Sequence, residues 1–506
     1  MSSSKSERGT ILLVAMVLAS ALAIVFAYYI RVPLTALKLS NRSFYSNAAM
    51  NLVDTGLERA LWSINNGGSW TTAGFTAFTG TDGTTQYHGT LGPFNLSGGV
   101  TGTVKVWTDP NSANPQAVAE AIIALPSSSD NADYIVKEAE MYVTQSSYFK
   151  NGLVAKTTIS LSGNPNVDGW NSDPSGTYVP YNPATVDVNG TANGKIGSTD
   201  VLSGAITGTG NSAVYGYAAV GGSAAGDVSG SGLTVGPYGS SGINSSYVTY
   251  DFTTSFPDAS TPSTDTYTDP TTKIQTSVPL TMGNTNAIGA INGSTTLPGA
   301  GDNSITINGV TTYYYYVPSI SLSGNKTLSI TGGQNVVIIL TNTAGSTAST
   351  TGNAAINIPG ATTTNGVTTP AASLVMYTSG DVSLSGNGVM NGGGTTGTAG
   401  EAVDFQLYGT RTAAQVVNSG EQSLSLSGNG VLSGVVYAPN ANVTITGNGD
   451  TLGAVVGNQV TMTGNGSFHY DQSLANFGSS SLWNLSKWRE LFAASDRGTY
   501  ASQLNF

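Results

Sequence analysis

A six-residue pattern, apolar and hydroxyl residues in alternation closing on Gly-Asn, recurs six times between residues 159 and 465. The copies are 159–164 (ISLSGN), 320–325 (ISLSGN), 382–387 (VSLSGN), 424–429 (LSLSGN), 443–448 (VTITGN) and 460–465 (VTMTGN). Period-two alternation describes a strand with one buried face, and Gly-Asn tolerates the backbone angles of a tight turn. In four copies a second apolar run comes first, at 152–155, 373–377, 434–437 and 453–456. The last three Gly-Asn steps fall 19 and 17 residues apart, the length of one coil with two short strands and two turns. The pattern predicts a mainly β fold in which residues 147–471 form a right-handed parallel β-helix with long loops. Valines would stack on valines inside, and asparagines on asparagines at a turn. Long Gly/Ser/Thr/Pro stretches within 170–315, such as 258–270, are expected to loop out of the stack. The run Tyr313–Tyr316 alternates faces and is expected to leave two rings exposed.

Composition agrees with this reading. Charged residues make up 9% of the chain, against roughly 25% in ordinary globular domains, and there are 65 glycines. Polarity is carried mostly by Ser, Thr and Asn, as suits extended structure with many turns. Residues 1–60 hold six basic and three acidic side chains, and the rest hold 11 basic and 25 acidic. A polyanion would be repelled by that larger part, which excludes nucleic acid as an expected partner. The absence of cysteine removes disulfides, thiolate zinc sites and cysteine nucleophiles together.

From Gly9 to Ile30 no residue is charged, and 11–25 (ILLVAMVLASALAIV) is almost wholly apolar. About 20 such residues cross a hydrocarbon core, so residues 10–31 are predicted as a transmembrane helix after a short basic leader, 1–9. Tyr28, Tyr29 and Arg31 stand where an interfacial anchor belongs. Pro33 is expected to kink or interrupt the helix. Beyond it Tyr45, Ala48, Ala49, Leu52, Val53, Leu57, Ala60, Leu61 and Ile64 recur at helical spacing. An exported amphipathic helix is therefore predicted over 32–66, stopped by Asn65-Asn66-Gly67-Gly68. Three readings of the N-terminus stand: a signal peptide cut after Ala23, a plain signal anchor, and a processed leader ending at Gly9.

Arg8-Gly9 ahead of the apolar run, with Asn47-Ala48-Ala49 and Val53-Asp54-Thr55-Gly56-Leu57-Glu58, resembles the N-terminal region of PilX-like minor pilins and type IV pilus assembly proteins. The likeness covers about 65 residues. It implies processing between Gly9 and Thr10, and helix packing with other pilins or pilus assembly proteins. Val14 departs from the pattern, because major pilins carry glutamate at that position. The stretch Val435-Val436-Tyr437-Ala438-Pro439 through Phe468-His469-Tyr470-Asp471 is similar to an uncharacterised C-terminal domain found on PilX-like bacterial proteins. Asn151-Gly152-Leu153-Val154-Ala155 resembles that domain's opening. The resemblance implies pilus or surface association and no known reaction. Basic residues after the apolar run outnumber those before it, and the positive-inside rule alone would turn the chain the other way. The resemblance and the low-charge β composition place the bulk outside the bacterial inner membrane, in the periplasm or on the cell surface.

Residues 67–146 are expected to form a small α/β or β appendage with Trp70 and Trp107 in its core. Residues 472–506 are expected to cap the stack, with Leu482, Leu485 and Trp488 on one face of a helix. For chemistry the sequence is poor. Between 157 and 486 the basic residues are Lys195, Lys273, Lys326 and Arg411, and the chain has only His88 and His469 as imidazoles. His469 is expected to bond Asp471 as a structural closure. Asp168, Asn171 and Asp173 have oxygen spacing that could hold calcium, without the full loop of an EF-hand. No catalytic or cofactor-binding residue is predicted. The expected function is a non-catalytic, single-pass pilin-like surface protein that contacts the membrane, other pilins and a surface glycan or protein ligand. The alternatives are an anchored β-helix enzyme acting on polysaccharide, and a secreted adhesin whose signal peptide is removed.

Overall fold

The computed structural model describes residues 7–65, 70–80, 83–112, 115–125, 134–174, 177–268, 275–364, 366–392, 399–428, 431–477 and 479–506. The fold is mainly β with one long N-terminal helix. It divides into two compact units, Met1–Ser146 with Ser480–Phe506, and Ser147–Ser479.

In the first unit a single helix, α1, runs from Glu7 to Asn65 and takes in Gly9, Thr10 and Pro33. The interruption expected at Pro33 does not occur. A proline removes one helical hydrogen bond, and the turns on either side carry the helix through. The described helix extends to Asn65, and the remaining residues of the predicted stop, 66–68, lie outside the described residues. Large apolar side chains from Leu12 to Leu39 stand exposed, and the helix is long and apolar enough to cross a membrane. From Ala49 onward the character changes. Ala49, Leu52, Val53, Leu57, Ala60 and Ile64 form one stripe at helical spacing and are buried. They pack on an antiparallel sheet of Thr76–Thr79, Thr85–Asn95, Thr101–Asp109, Gln116–Ala124 and Tyr134–Ser147, with Val104, Ala119, Ile123 and Ala139 in the shared core. Gly56 lets the two layers meet: a Cβ there would lie 2.8 Å from Val104 Cγ1. Trp70 and Trp107 are buried, as expected.

The C-terminal segment corrects the sequence reading. Ser479–Glu490 is a strand rather than a helix, and it borders Tyr134–Ser147 in the first unit's sheet instead of capping the repeat domain. Buried Glu140 explains the difference, because it needs cationic and hydroxyl donors. Arg489 Nε donates to Glu140 Oε1 at 2.8 Å, and the Tyr500 hydroxyl donates to Oε2 at 2.8 Å. Asn65 joins in at the other end, accepting from the Trp483 main-chain N–H and donating to its carbonyl.

The second unit is built from parallel ladders. One runs through Val310–Val317, Asn335–Leu340, Ser373–Thr378, Phe405–Gly409 and then the first halves of Leu432–Gly447 and Thr451–Gly464. It continues into Leu153–Ala155, Gly194–Ser198 and Ala213–Val220. A second ladder carries the repeated hexapeptides. It runs through Ile320–Leu322, Ser346–Thr350, Asp381–Leu384, Gln422–Gly428 and the later halves of Leu432–Gly447 and Thr451–Gly464, then Ile159–Gly163 and Ile206–Gly210. A third face includes Phe468–Asp471 between Thr451–Gly464 and Asn166–Trp170. The apolar positions of all three faces merge into one core, from Ile206 and Leu161 through Met462 and Leu426 to Leu322.

The order of strands is not the order of the chain. Ile159–Gly163 lies between Thr451–Gly464 and Ile206–Gly210, so the first strands of the unit enter the middle of the stack beside the last. Asparagines stack at the turn as expected. Asn465 donates to Asn448 at 3.3 Å, Asn164 to Asn465 at 2.8 Å and Asn211 to Asn164 at 3.2 Å. The preceding glycine is demanded by this closeness: Gly210 has φ +78°, and a Cβ there would meet the Gly163 carbonyl oxygen at 2.1 Å.

Residues 251–268 and 275–285, which connect the two ends of the stack in sequence, pack along it. The expectation that 258–270 loops outward fails over its described part. Phe252, Phe256 and Ala259 pack against Val154, Tyr437 and Val456, while Tyr267, Val278 and Leu280 pack against Tyr314, Val337 and Ile339. These are outward positions of the first ladder, apolar because the connecting segment covers them. The same cover buries Tyr314, and Tyr315 points into the core, so the exposed pair expected among Tyr313–Tyr316 is not found.

Candidate functional site

The densest cluster of ionisable groups in the second unit grows from strand register. His469 pairs with Asp168 across the parallel ladder of Phe468–Asp471 and Asn166–Trp170. Their neighbours Phe468, Tyr470 and Val167 face the core, so His469 and Asp168 point to the other face, one strand spacing apart. His469 Nδ1 lies 2.6 Å from Asp168 Oδ1, and His469 Nε2 lies 3.7 Å from Asp450 Oδ2. The segment between Trp170 and Gly194 folds over this pair and buries it. Tyr181 stacks on the imidazole with centroids 3.7 Å apart and donates its hydroxyl to Asp168 Oδ2 at 2.6 Å. Asp187, at the end of the short helix Pro183–Val186, brings a further carboxyl group near Asp168.

The electrostatics follow from crowding. Burial opposes charge on His469, but the Asp168 hydrogen bond and the negative charge of Asp168 and Asp450 outweigh it and push the imidazole up to about 9. Burial, the Asp168 hydrogen bond and the Asp168 charge push Asp187 up to about 7, against the pull of His469. The cluster thus favours the protonated form of Asp187 and the charged imidazolium of His469 beside the Asp168 and Asp450 carboxylates. Beside them lies an open hollow of about 430 Å³ lined by Pro180, Asn182, Asp187, Asp450, Ser467 and His469.

The predicted closure of His469 on Asp471 is therefore replaced by one on Asp168. Adjacent-but-one residues of a strand share a face without touching, whereas registered residues of neighbouring strands do touch. Asp471 instead accepts from the main-chain N–H groups of Ser172 and Ser473. Of the calcium trio, Asp168 has both oxygens engaged by His469 and Tyr181. Asn171 Oδ1 accepts from the Asp173 main-chain N–H at 3.0 Å. Among the described residues no group of three His, Cys, Asp or Glu side chains is placed to hold a metal ion. Sequence reasoning missed Tyr181, Asp187 and Asp450. Nothing local marks them, since each is a polar residue in a turn whose role comes from a coil distant in sequence.

Comparison with known proteins adds little about role. A family model described as a domain of unknown function (DUF7305) matches residues 258–477. No curated protein matches the chain. Among solved structures, the competence-associated pilin ComZ from Thermus thermophilus aligns at 10% identity over 88% of this chain and 97% of its own. The TM-score of 0.23 is too low to carry an argument about fold or role.

Proposed function

We propose that this chain is a membrane-anchored, pilin-like surface protein that acts by assembly and contact rather than catalysis. The observation that carries the reading is the two-part character of α1. Its first half presents Leu12, Leu18, Leu22 and Ile24 outward, and its second half buries Leu52, Val53 and Leu57 against an antiparallel sheet. An apolar stalk continuous with a packed head anchors in a bilayer and packs with like helices. Residues 10–31 would span the membrane, with the bulk of the chain in the periplasm or on the cell surface. The parallel ladders of residues 147–471 are read as a β-helix of right-handed sense, the hand that parallel crossovers take. Its sparsely charged, hydroxyl-rich surface suits contact with a glycan or protein.

The N-terminal residue of the mature protein, recovered from membrane and sheared-surface fractions, tests this reading. A start at Thr10, in both fractions, is the expected result. A chain beginning at Met1 and confined to the membrane would remove filament assembly and leave an anchored β domain.

One observation favours a second reading, an anchored enzyme acting on polysaccharide: the hollow lined by Asp187, Asp450 and His469. Glycoside hydrolysis uses two carboxyl groups about 5–9.5 Å apart. Release of reducing ends from polysaccharide, abolished in Asp187→Asn, would establish the enzyme and displace the non-catalytic reading.

A further inference from the structure

We propose that Lys156 and Asn440 become joined by an intramolecular isopeptide bond, formed by the protein itself with Asp258 as proton carrier. The three residues come from remote parts of the second unit. Lys156 follows Leu153–Ala155, Asn440 lies within Leu432–Gly447, and Asp258 belongs to the connecting segment. Lys156 Nζ donates to Asn440 Oδ1 at 2.8 Å, so the amine stands against the carboxamide it would attack. At the other end of the carboxamide, Asn440 Nδ2 donates to Asp258 Oδ1 at 2.6 Å and to the Arg411 carbonyl at 2.8 Å. Nucleophile, electrophile and acid are thus ordered along one line of hydrogen bonds, and three partners fix the plane of the amide.

The surroundings fit the chemistry. Asn440 is buried, with 6% of its surface exposed. The Phe256 ring lies 5.7 Å from Lys156 Nζ, and the Tyr437 hydroxyl donates to the Pro257 carbonyl at 2.7 Å, which fixes the residue beside Asp258. Burial lowers the Lys156 pKa and the charge of Asp258 works against it. A simple ion pair would set lysine directly on the aspartate, but the carboxamide stands between them.

The step balances without an oxidant or cofactor. Asp258 takes a proton from the Lys156 ammonium through one water, since the carboxamide lies between them. The neutral amine attacks Asn440 Cγ, the Nζ–Cγ bond forms, and Oδ1 takes up the negative charge. Asp258 returns its proton to Nδ2, the Cγ–Nδ2 bond breaks and ammonia leaves. The second Nζ proton then passes through Asp258 to that ammonia, which departs as ammonium and leaves a neutral amide. Aminolysis of an amide is slow in solution. Here fixed geometry supplies the effective concentration, and the loss of ammonia to solvent draws the reaction forward.

The test is mass spectrometry of the full-length protein purified in detergent. The expected result is an intact mass lower by about 17 Da, the ammonia lost, together with a branched tryptic species joining residues 151–195 to 412–487. Lys156→Arg and Asp258→Ala, each shown to be folded by circular dichroism, should lack the branched species and keep the full mass. If either variant fails to fold, the wild-type peptide map decides alone. A wild-type chain at full mass overturns the proposal. So does a loss of ammonia without the branched species, which would mark succinimide formation at an Asn-Gly step.

Discussion

Asn164 and Asn465 lie 301 residues apart in the chain, yet the side-chain amide of one donates to that of the other at 2.8 Å. They are consecutive steps of one asparagine ladder, because the first coil of the repeat unit is inserted beside the last. Most of what can be tested about stability in this unit follows from that seam.

Leu161 is fully buried between Met462 on one side and Gly208 on the other. Leu161→Ala is expected to destabilise the second unit by about 2–5 kcal/mol. Ser162→Ala, one residue along and facing out, is expected to change stability by less than about 0.5 kcal/mol. Urea unfolding of the two variants, followed by tyrosine and tryptophan fluorescence, checks the pair. Equal small effects would mean that this coil is not part of the core.

The His469 cluster makes stability depend on pH in one direction. His469 is faced by Asp168, Asp450, Tyr181 and, through Asp168, by Asp187. Its folded pKa of about 9 exceeds the ordinary 6.5, so the folded state holds the proton more tightly. That stabilisation is complete below pH 6.5 and is lost as pH rises through about 9, with a size on the order of 3 kcal/mol. Asp187, raised from 3.8 to about 7, acts in the same sense over a lower window, since folding favours its protonated form. The urea midpoint is expected to fall between pH 6.5 and 9 in the wild type and to change less in His469→Gln. A wild type with the same slope as the variant would rule out the charged imidazole.

In the first unit, Gly56 is the point where helix meets sheet. A Cβ would sit 2.8 Å from Val104 Cγ1 and 2.9 Å from Val106 Cγ2. Gly56→Val should cost about 1–3 kcal/mol, despite valine's being the better helix former, and should open this unit to limited proteolysis. Gly99, with nothing near its Cβ position, would tolerate asparagine, which also accepts its φ of +73°. Protease resistance of both variants at graded temperature measures the difference.

Arg411 is a buried cation that serves backbone. It donates to the carbonyls of Ser379, Gly420 and Glu421 and lies 3.4 Å from Asp381. Arg411→Met should cost about 2–4 kcal/mol, because three inward carbonyls lose their donors. Arg411→Lys should recover less than half of that, since an ammonium cannot reproduce the fork. Thermal unfolding of the three proteins gives the comparison.

Much of this architecture is written in local pattern. The hexapeptide copies became registered strands of one ladder, with Ile159 against Val460, Val460 against Val443 and Val443 against Leu424. Two further rungs escaped notice, at 206–211 (ITGTGN) and 348–353 (ASTTGN), because glycine or threonine stands where the pattern has a second apolar residue. The order of coils could not be read, because near-identical copies carry no sign of which will stack on which. The strand at Ser479–Glu490 was misread for a related reason. Its leucines and tryptophans fit a helical face, and only its distant neighbour Glu140 explains the strand. The candidate site was legible at His469 and Asp168 as residues, but not as a pair. Their contact is set by register across 301 residues.

The inserted first coil also bears on how the protein is made. A chain synthesised from its N-terminus delivers Ile159 long before Val460, the strand residue that must lie beside it. Until the last coil arrives, the first keeps one bare ladder edge, open to any passing strand. The unit therefore closes only once residue 460 is available, and a chain cut short before it keeps that ladder edge open.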